Sequence, residues 1–410
     1  MKKILFVLTI TFCFSAFSQQ KIEVFKSIKL LDDREYSVTL PTNYEKNPLK
    51  KYPLILLLDG EYMLQAFEGA ISYGNYWDDL PEVIVVSIYQ NPKFQREEYY
   101  RIDEFTGLPI EKGLQFFNFI GEEFIPFLDK KYRVAPYKII AGHDFSANFA
   151  NVFLYKQNPV FNAYISLSPE VDSHLIDGVS ARLAVLKTPI FYYQATADGE
   201  LSKYREGIQE LDSITKTIKN PNLYYKFDDF DNASHYSMVL NAIPASLYHV
   251  FSAYQPISNN EYQDKILTLK DNYVGYLTNK YSLAEKLFGI KLPFRMNDLR
   301  AVEAAILQNK SYDEFEKLAQ ICNKEYPKTM LYENYMGMLY ESRGEIKRAI
   351  KSYRNAFIKE AIGDVTKNSI MNHAYDLKNQ VIKLGVEKDI REVTELLEQM
   401  NKQVNEDLKP

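Results

Sequence analysis

From residue 22 to about residue 254, short unbroken apolar runs alternate with longer stretches of mixed polarity. The runs at 52–58, 82–88, 163–167 and 189–193 are too short for long helices and rich in β-branched or aromatic residues. Runs of that kind predict strands covered on both faces of a parallel sheet. Between them, 113–131 sets Phe116, Phe117, Ile120, Phe124 and Phe127 at helical spacing. Repeated strand–helix alternation predicts an α/β sandwich around a mostly parallel central sheet.

Past Pro256 the texture changes to long, charged helical segments with few strand signals. Gly337, Tyr340, Ala349, Tyr353 and Ala356 fall at the small and aromatic positions of a tetratricopeptide helix pair, with a turn at 343–345 and Ala361 in the terminal position. One repeat length earlier the match is partial, through Phe315, Ala319, Cys322 and Pro327. Ordinary antiparallel helices with small residues at close crossings fit equally well. Either way 256–410 is expected to be a packing or partner-docking module, and 19–255 the domain that carries chemistry.

The first 18 residues change the picture of location. Lys2 and Lys3, an apolar stretch at 4–17, and Ala16 and Ser18 before a cleavage after Ser18 predict a secretory signal, hence a periplasmic or secreted protein. No cysteine follows the cut to carry a lipid. Cys13 leaves with the signal and Cys322 remains alone, so no internal disulfide is expected. Without Lys2 and Lys3 the chain has 47 basic and 54 acidic residues, net −7. With no basic block and no second long apolar run, nucleic-acid partners and a membrane span in the mature protein are not expected. No metal cluster or phosphate-cradling glycine loop stands out, so no cofactor is expected.

Parallel α/β folds carry their functional groups at the carboxyl ends of strands. At one such end, Gly142-His143-Asp144-Phe145-Ser146 joins an apolar run to a helix. That is the layout of a nucleophile elbow, G-x-S-x-G, with Asp144 in the nucleophile position and Ser146 in the last glycine position. Asp59, followed by Gly60 and Glu61, closes the first long strand, and Asp198, Gly199 and Glu200 close a later one. His235 lies in the loop after the strand expected at 223–227. Of the five histidines, His143, His174, His235, His249 and His373, it has the best position for a general base; His143 sits inside the elbow and shapes it. The order nucleophile, acid, histidine is that of α/β-hydrolases.

The segments 34–41, 52–60 and 116–133, with Gly142-His143, Ser168-Pro169 and Ser234-His235, resemble the esterase family of α/β-hydrolases that includes esterase D and the enterobactin-type siderophore esterases. The resemblance covers about 26–254 and implies the family's fold. It maps the nucleophile to Asp144, the acid to Asp198 with Glu200 as the alternative, and the base to His235. The oxyanion donors map to the backbone of Phe145 and of Gly60 or Glu61. The family's serine is missing. A carboxylate attacking an acyl carbon would form a mixed anhydride, and it sets a negative charge beside the oxyanion hole. Ser146 lies two residues into the helix and is not expected to replace the serine.

Three readings stay open on the sequence. The first is a hydrolase of ester-type bonds with a retooled Asp144, Asp198 and His235 site. In the second, a silent hydrolase fold binds a small ligand, with a protein partner on its helical tail. The third resembles the dehalogenases and epoxide hydrolases, in which an aspartate in this position displaces at saturated carbon. Tyr62, Tyr73, Tyr76 and Trp77 are candidate pocket aromatics.

Overall fold

The computed structural model describes residues 21–90, 95–103 and 105–407. The expected signal at 1–18 lies outside the described residues. Two compact units emerge, one of residues up to Asn75 together with Pro81–Val250, the other of Tyr76–Leu80 together with the chain from Phe251 on.

The first unit is built on one eight-stranded sheet: β1 (Ile22–Lys26), β2 (Asp33–Thr39), β3 (Tyr52–Leu57), β4 (Ile84–Ile88), β5 (Val134–His143), β6 (Ala163–Leu167), β7 (Ile190–Gly199) and β8 (Leu223–Ser234). Their order is β1-β2-β4-β3-β5-β6-β7-β8. The β1–β2 and β2–β4 pairs are antiparallel and every other pair is parallel. Strands β3, β4 and β6 are buried at every position, which is why they read as unbroken apolar runs rather than as alternation. This is the α/β sandwich expected from the alternating pattern, in the α/β-hydrolase form that the resemblance implies.

Two elements differ from the pattern for local reasons. The helix expected at 113–131 is α-helical over Glu111–Asn118, passes through a wide π-turn at Phe119–Phe124 and resumes at Ile125–Lys131. Pro126 has no N–H for the ladder and would crowd the preceding turn, and the wider turn accommodates it. Strand β8 runs to Ser234, well past residue 227, because its pairing with β7 continues beyond an irregularity between Ala197 and Gly199. That extension brings the histidine loop to the end of β7.

The second unit is helical from Tyr273–Phe288 through Glu387–Asp407 and has its own core, in which Phe315, Ala319, Cys322, Tyr335, Ala349, Tyr353 and Ala356 are all buried. The helices Leu331–Ser342 and Ile346–Phe357 form the hairpin expected from the repeat spacing. A Cβ on Gly337 would stand 2.3 Å from the Tyr353 ring, so the small residue lets the two helices close on each other. Among the described residues, no helix is long and apolar enough to cross a membrane.

Candidate functional site

Three strand ends supply the site. At the first, β5 stops at His143, and Asp144 takes φ 62° and ψ −126° before the helix Phe145–Val152 begins. A non-glycine residue holds such a backbone only when its surroundings fix it. Here the Asp144 N–H donates to the Leu167 carbonyl at 3.0 Å, and the Asp144 carbonyl accepts from the Ala147 N–H at 2.9 Å. A Cβ on Gly142 would lie 2.5 Å from the Ser146 backbone, so only glycine allows the helix to start this close to the strand.

The Asp144 carboxylate is already engaged. Its Oδ2 accepts from Arg96 Nη1 at 3.0 Å, while Arg96 Nε and Nη2 clamp the Asp59 carboxylate at 3.0 and 2.9 Å and Nη2 also donates to the His143 carbonyl. Asp59 closes the strand next to β5 and is buried. It further accepts from the hydroxyls of Ser146 at 2.6 Å, Tyr62 at 3.1 Å and Tyr100 at 3.2 Å. Burying a carboxylate this deeply requires such a donor set. Two carboxylates therefore share one guanidinium, and the side chain in the attacking position is an ion-paired, hydrogen-bonded carboxylate.

Ser146 is committed elsewhere. Its hydroxyl donates to Asp59 and accepts from the His143 N–H at 2.8 Å, and the residue is buried.

At the third strand end, His235 Nδ1 lies 2.6 Å from Glu200 Oε2, and the Glu200 side chain is only 2% exposed. Burial works to raise the Glu200 carboxyl. Hydrogen bonds from the Ser168 hydroxyl, His235 and the Leu201 N–H outweigh it and hold the group below the usual carboxylate range. Asp198 does not meet the histidine. Its carboxylate accepts from the backbone N–H groups of Asn232 and Ala233 at 2.9 and 3.2 Å, which leave the sheet ladder at the β7–β8 irregularity. The structure thus sets Glu200 against His235 and gives Asp198 to the histidine loop.

The ring of His143 packs against that of His235, with centroids 4.5 Å apart, and Tyr62 Oη lies 3.0 Å from His143 Nδ1. Burial first, and then the neighbouring His235, pull the His143 ring from its ordinary 6.5 down to about 4. The unfolded chain takes up this proton from pH 6.5 downward, whereas the folded chain resists until about pH 4. Stability from this group is therefore lost as pH falls through that window, by about 3 kcal/mol at most. We expect His143→Asn to flatten the fall in Tm between pH 6.5 and 4 relative to the wild type; parallel curves would count against this assignment.

The backbone candidates lie at two helix starts. Phe145 opens the helix after the elbow, and Gly60 and Glu61 open Gly60–Tyr76 after β3. The Glu61 carboxylate turns back to its own N–H and to that of Gln90, leaving Gly60 the freer donor of the two. Beside the elbow lies a cavity of about 550 Å³ walled in part by Tyr100, Phe145, Asn148, Glu170 and Tyr204. Among the described residues, no group of three or more His, Cys, Asp or Glu side chains is placed to hold a metal ion.

Arg96 and Ser168 are the site residues that the sequence reading did not assign. Arg96 looks like one charge among several in the stretch 95–100. The usable signal was Asp59 and Asp144 together, two carboxylates at adjacent strand ends that demand a cation between them.

Residues 27–217 match the family described as "Putative esterase". A crystal structure of an uncharacterised protein from Capnocytophaga ochracea is similar over 88% of this chain and 100% of its own, at 26% identity and a TM-score of 0.78. An IroE-like serine hydrolase from Shewanella oneidensis shares the fold over 80% of this chain and 99% of its own, at 18% identity and a TM-score of 0.56. No curated protein matches the chain. Residues 27–217 of the α/β unit are thus similar to an esterase family, and the unit has the α/β-hydrolase fold.

Proposed function

We propose that the α/β unit hydrolyses small ester-type substrates, in an exported protein, by activating water at His235 rather than by attack from Asp144. The observation that carries this reading is a complete Ser168–Glu200–His235 relay beside an Asp144 that is already ion-paired to Arg96. With Nδ1 given to Glu200, Nε2 of His235 takes a proton from water as the water oxygen adds to the ester carbonyl carbon. Asp144 orients that water as a hydrogen-bond acceptor. The backbone N–H groups of Phe145 and Gly60 meet the oxyanion. Collapse then breaks the bond to the alcohol oxygen, which receives the proton from Nε2. The cavity beside Phe145 accommodates one side of the substrate.

The Arg96 clamp supports a second reading, a ligand-binding protein without turnover, because a paired carboxylate next to the oxyanion position opposes charge development there. Assays of short acyl esters separate the two. On the first reading the wild type turns over and His235→Ala lowers kcat/KM by roughly 10²- to 10⁴-fold. A folded wild type with no turnover sinks it. An adduct on Asp144 after treating His235→Ala with an epoxide would transfer the site to displacement chemistry.

A further inference from the structure

Ser168 follows β6 with φ 44° and is 2% exposed. Its hydroxyl donates to Glu200 Oε2, and its Oγ lies 3.3 Å from His235 Nδ1. The same Glu200 oxygen is 2.6 Å from Nδ1. A serine hydroxyl has one hydrogen to give. Once that hydrogen goes to Glu200, the two oxygens facing Nδ1 can only accept. The other groups against the ring, His143 with centroids 4.5 Å away and Tyr236 with centroids 4.9 Å away, pack on it as rings.

We propose that Ser168 is a positioning residue that fixes the proton of neutral His235 on Nδ1 and so leaves Nε2 as the basic nitrogen. It does not touch the reacting atoms; it acts through the orientation of Glu200 and the direction of its own lone pairs. A buried Glu200 without this donor would keep only the Leu201 N–H and the histidine, and Oε2 would be free to swing from the ring plane. The strained backbone at Ser168 fits such a duty, since a residue is held at positive φ only where its surroundings insist. The catalytic meaning of the proposal rests on the water-activation reading. The tautomer itself is a property of the folded chain, with or without turnover.

The full chain labelled with ¹⁵N-histidine, observed at about pH 8 where an ordinary imidazole is neutral, reads the tautomer directly. The wild type is expected to give a protonated-type Nδ1 and an unprotonated-type Nε2 for His235, assigned by the loss of the signals in His235→Ala. In Ser168→Ala the share of the Nε2–H form should rise about fivefold, the equilibrium worth of one ordinary hydrogen bond. Ser168→Gly should do the same while relieving the positive φ, which separates the hydroxyl from the backbone strain. Ser168→Thr, which keeps a hydroxyl, should restore the wild-type pattern. Wild-type tautomer signals in folded Ser168→Ala and Ser168→Gly would overturn the proposal. An inactive wild type with the Nδ1–H pattern would sink the water-activation reading and leave this one standing.

Discussion

Asp144→Ser should raise the hydrolysis of short acyl esters at least about 100-fold and route it through an acyl-enzyme. The backbone at residue 144 is already in the strained elbow conformation at φ 62°, between β5 and a helix start, so the introduced hydroxyl inherits the geometry of a nucleophile. Removing the carboxylate deletes the fixed negative charge from beside the oxyanion position. Arg96 would keep both of its bonds to Asp59, and Nη1 would be released toward the developing charge. His235, with Nδ1 held by Glu200, supplies the base. The signature is a burst of product followed by a slower steady state, with a fluorophosphonate adduct at position 144 in the intact mass. Both should vanish when His235→Ala is added. A folded Asp144→Ser protein with neither burst nor label would mean that the histidine does not serve position 144, and the site as described would be wrong.

Gly142→Ala carries the second large effect, on stability. The new Cβ would meet the Ser146 backbone carbonyl at 2.5 Å and the Ala147 nitrogen at 2.7 Å, and neither can turn aside as a side chain would. Either the helix Phe145–Val152 moves off the end of β5 or the elbow opens. The expected cost is about 3 kcal/mol, or a fall in Tm of roughly 6–12 °C. Gly69 supplies the contrast, since a Cβ there meets nothing within 4 Å and the residue lies inside the helix Gly60–Tyr76. Gly69→Ala should be neutral or stabilising by up to about 1 kcal/mol. Equal melting curves for the two variants would contradict the close approach at the elbow.

What the chain betrayed of its fold was whatever burial on both faces imposes. Strands β3, β4 and β6 lie in the sheet interior and read as apolar runs, whereas β1, with Ile22 and Val24 exposed at the edge, carried too mixed a pattern to be singled out. The elbow and His235 were legible because motif and chain order constrain them. The choice between Asp198 and Glu200 was not, since both follow the same strand and the decision lies in a pairing irregularity that redirects one carboxylate to the backbone. Arg96 was invisible for a related reason. Its helix, Gln95–Tyr99, has five residues and no periodicity, and only the sheet order brings the ends of β3 and β5 within reach of one guanidinium.

Burial of Cys322 inside the helical unit has a redox consequence. The thiolate is the form that exchanges with disulfides, and burial pushes this thiol up to about 12, so almost none is present near neutral pH. With the sulfur enclosed between Leu318, Ala319 and its other core neighbours, neither oxidants nor a second chain can reach it while the helices stay folded. In the exported protein proposed above, this unpaired cysteine would meet an oxidising compartment shielded by packing alone.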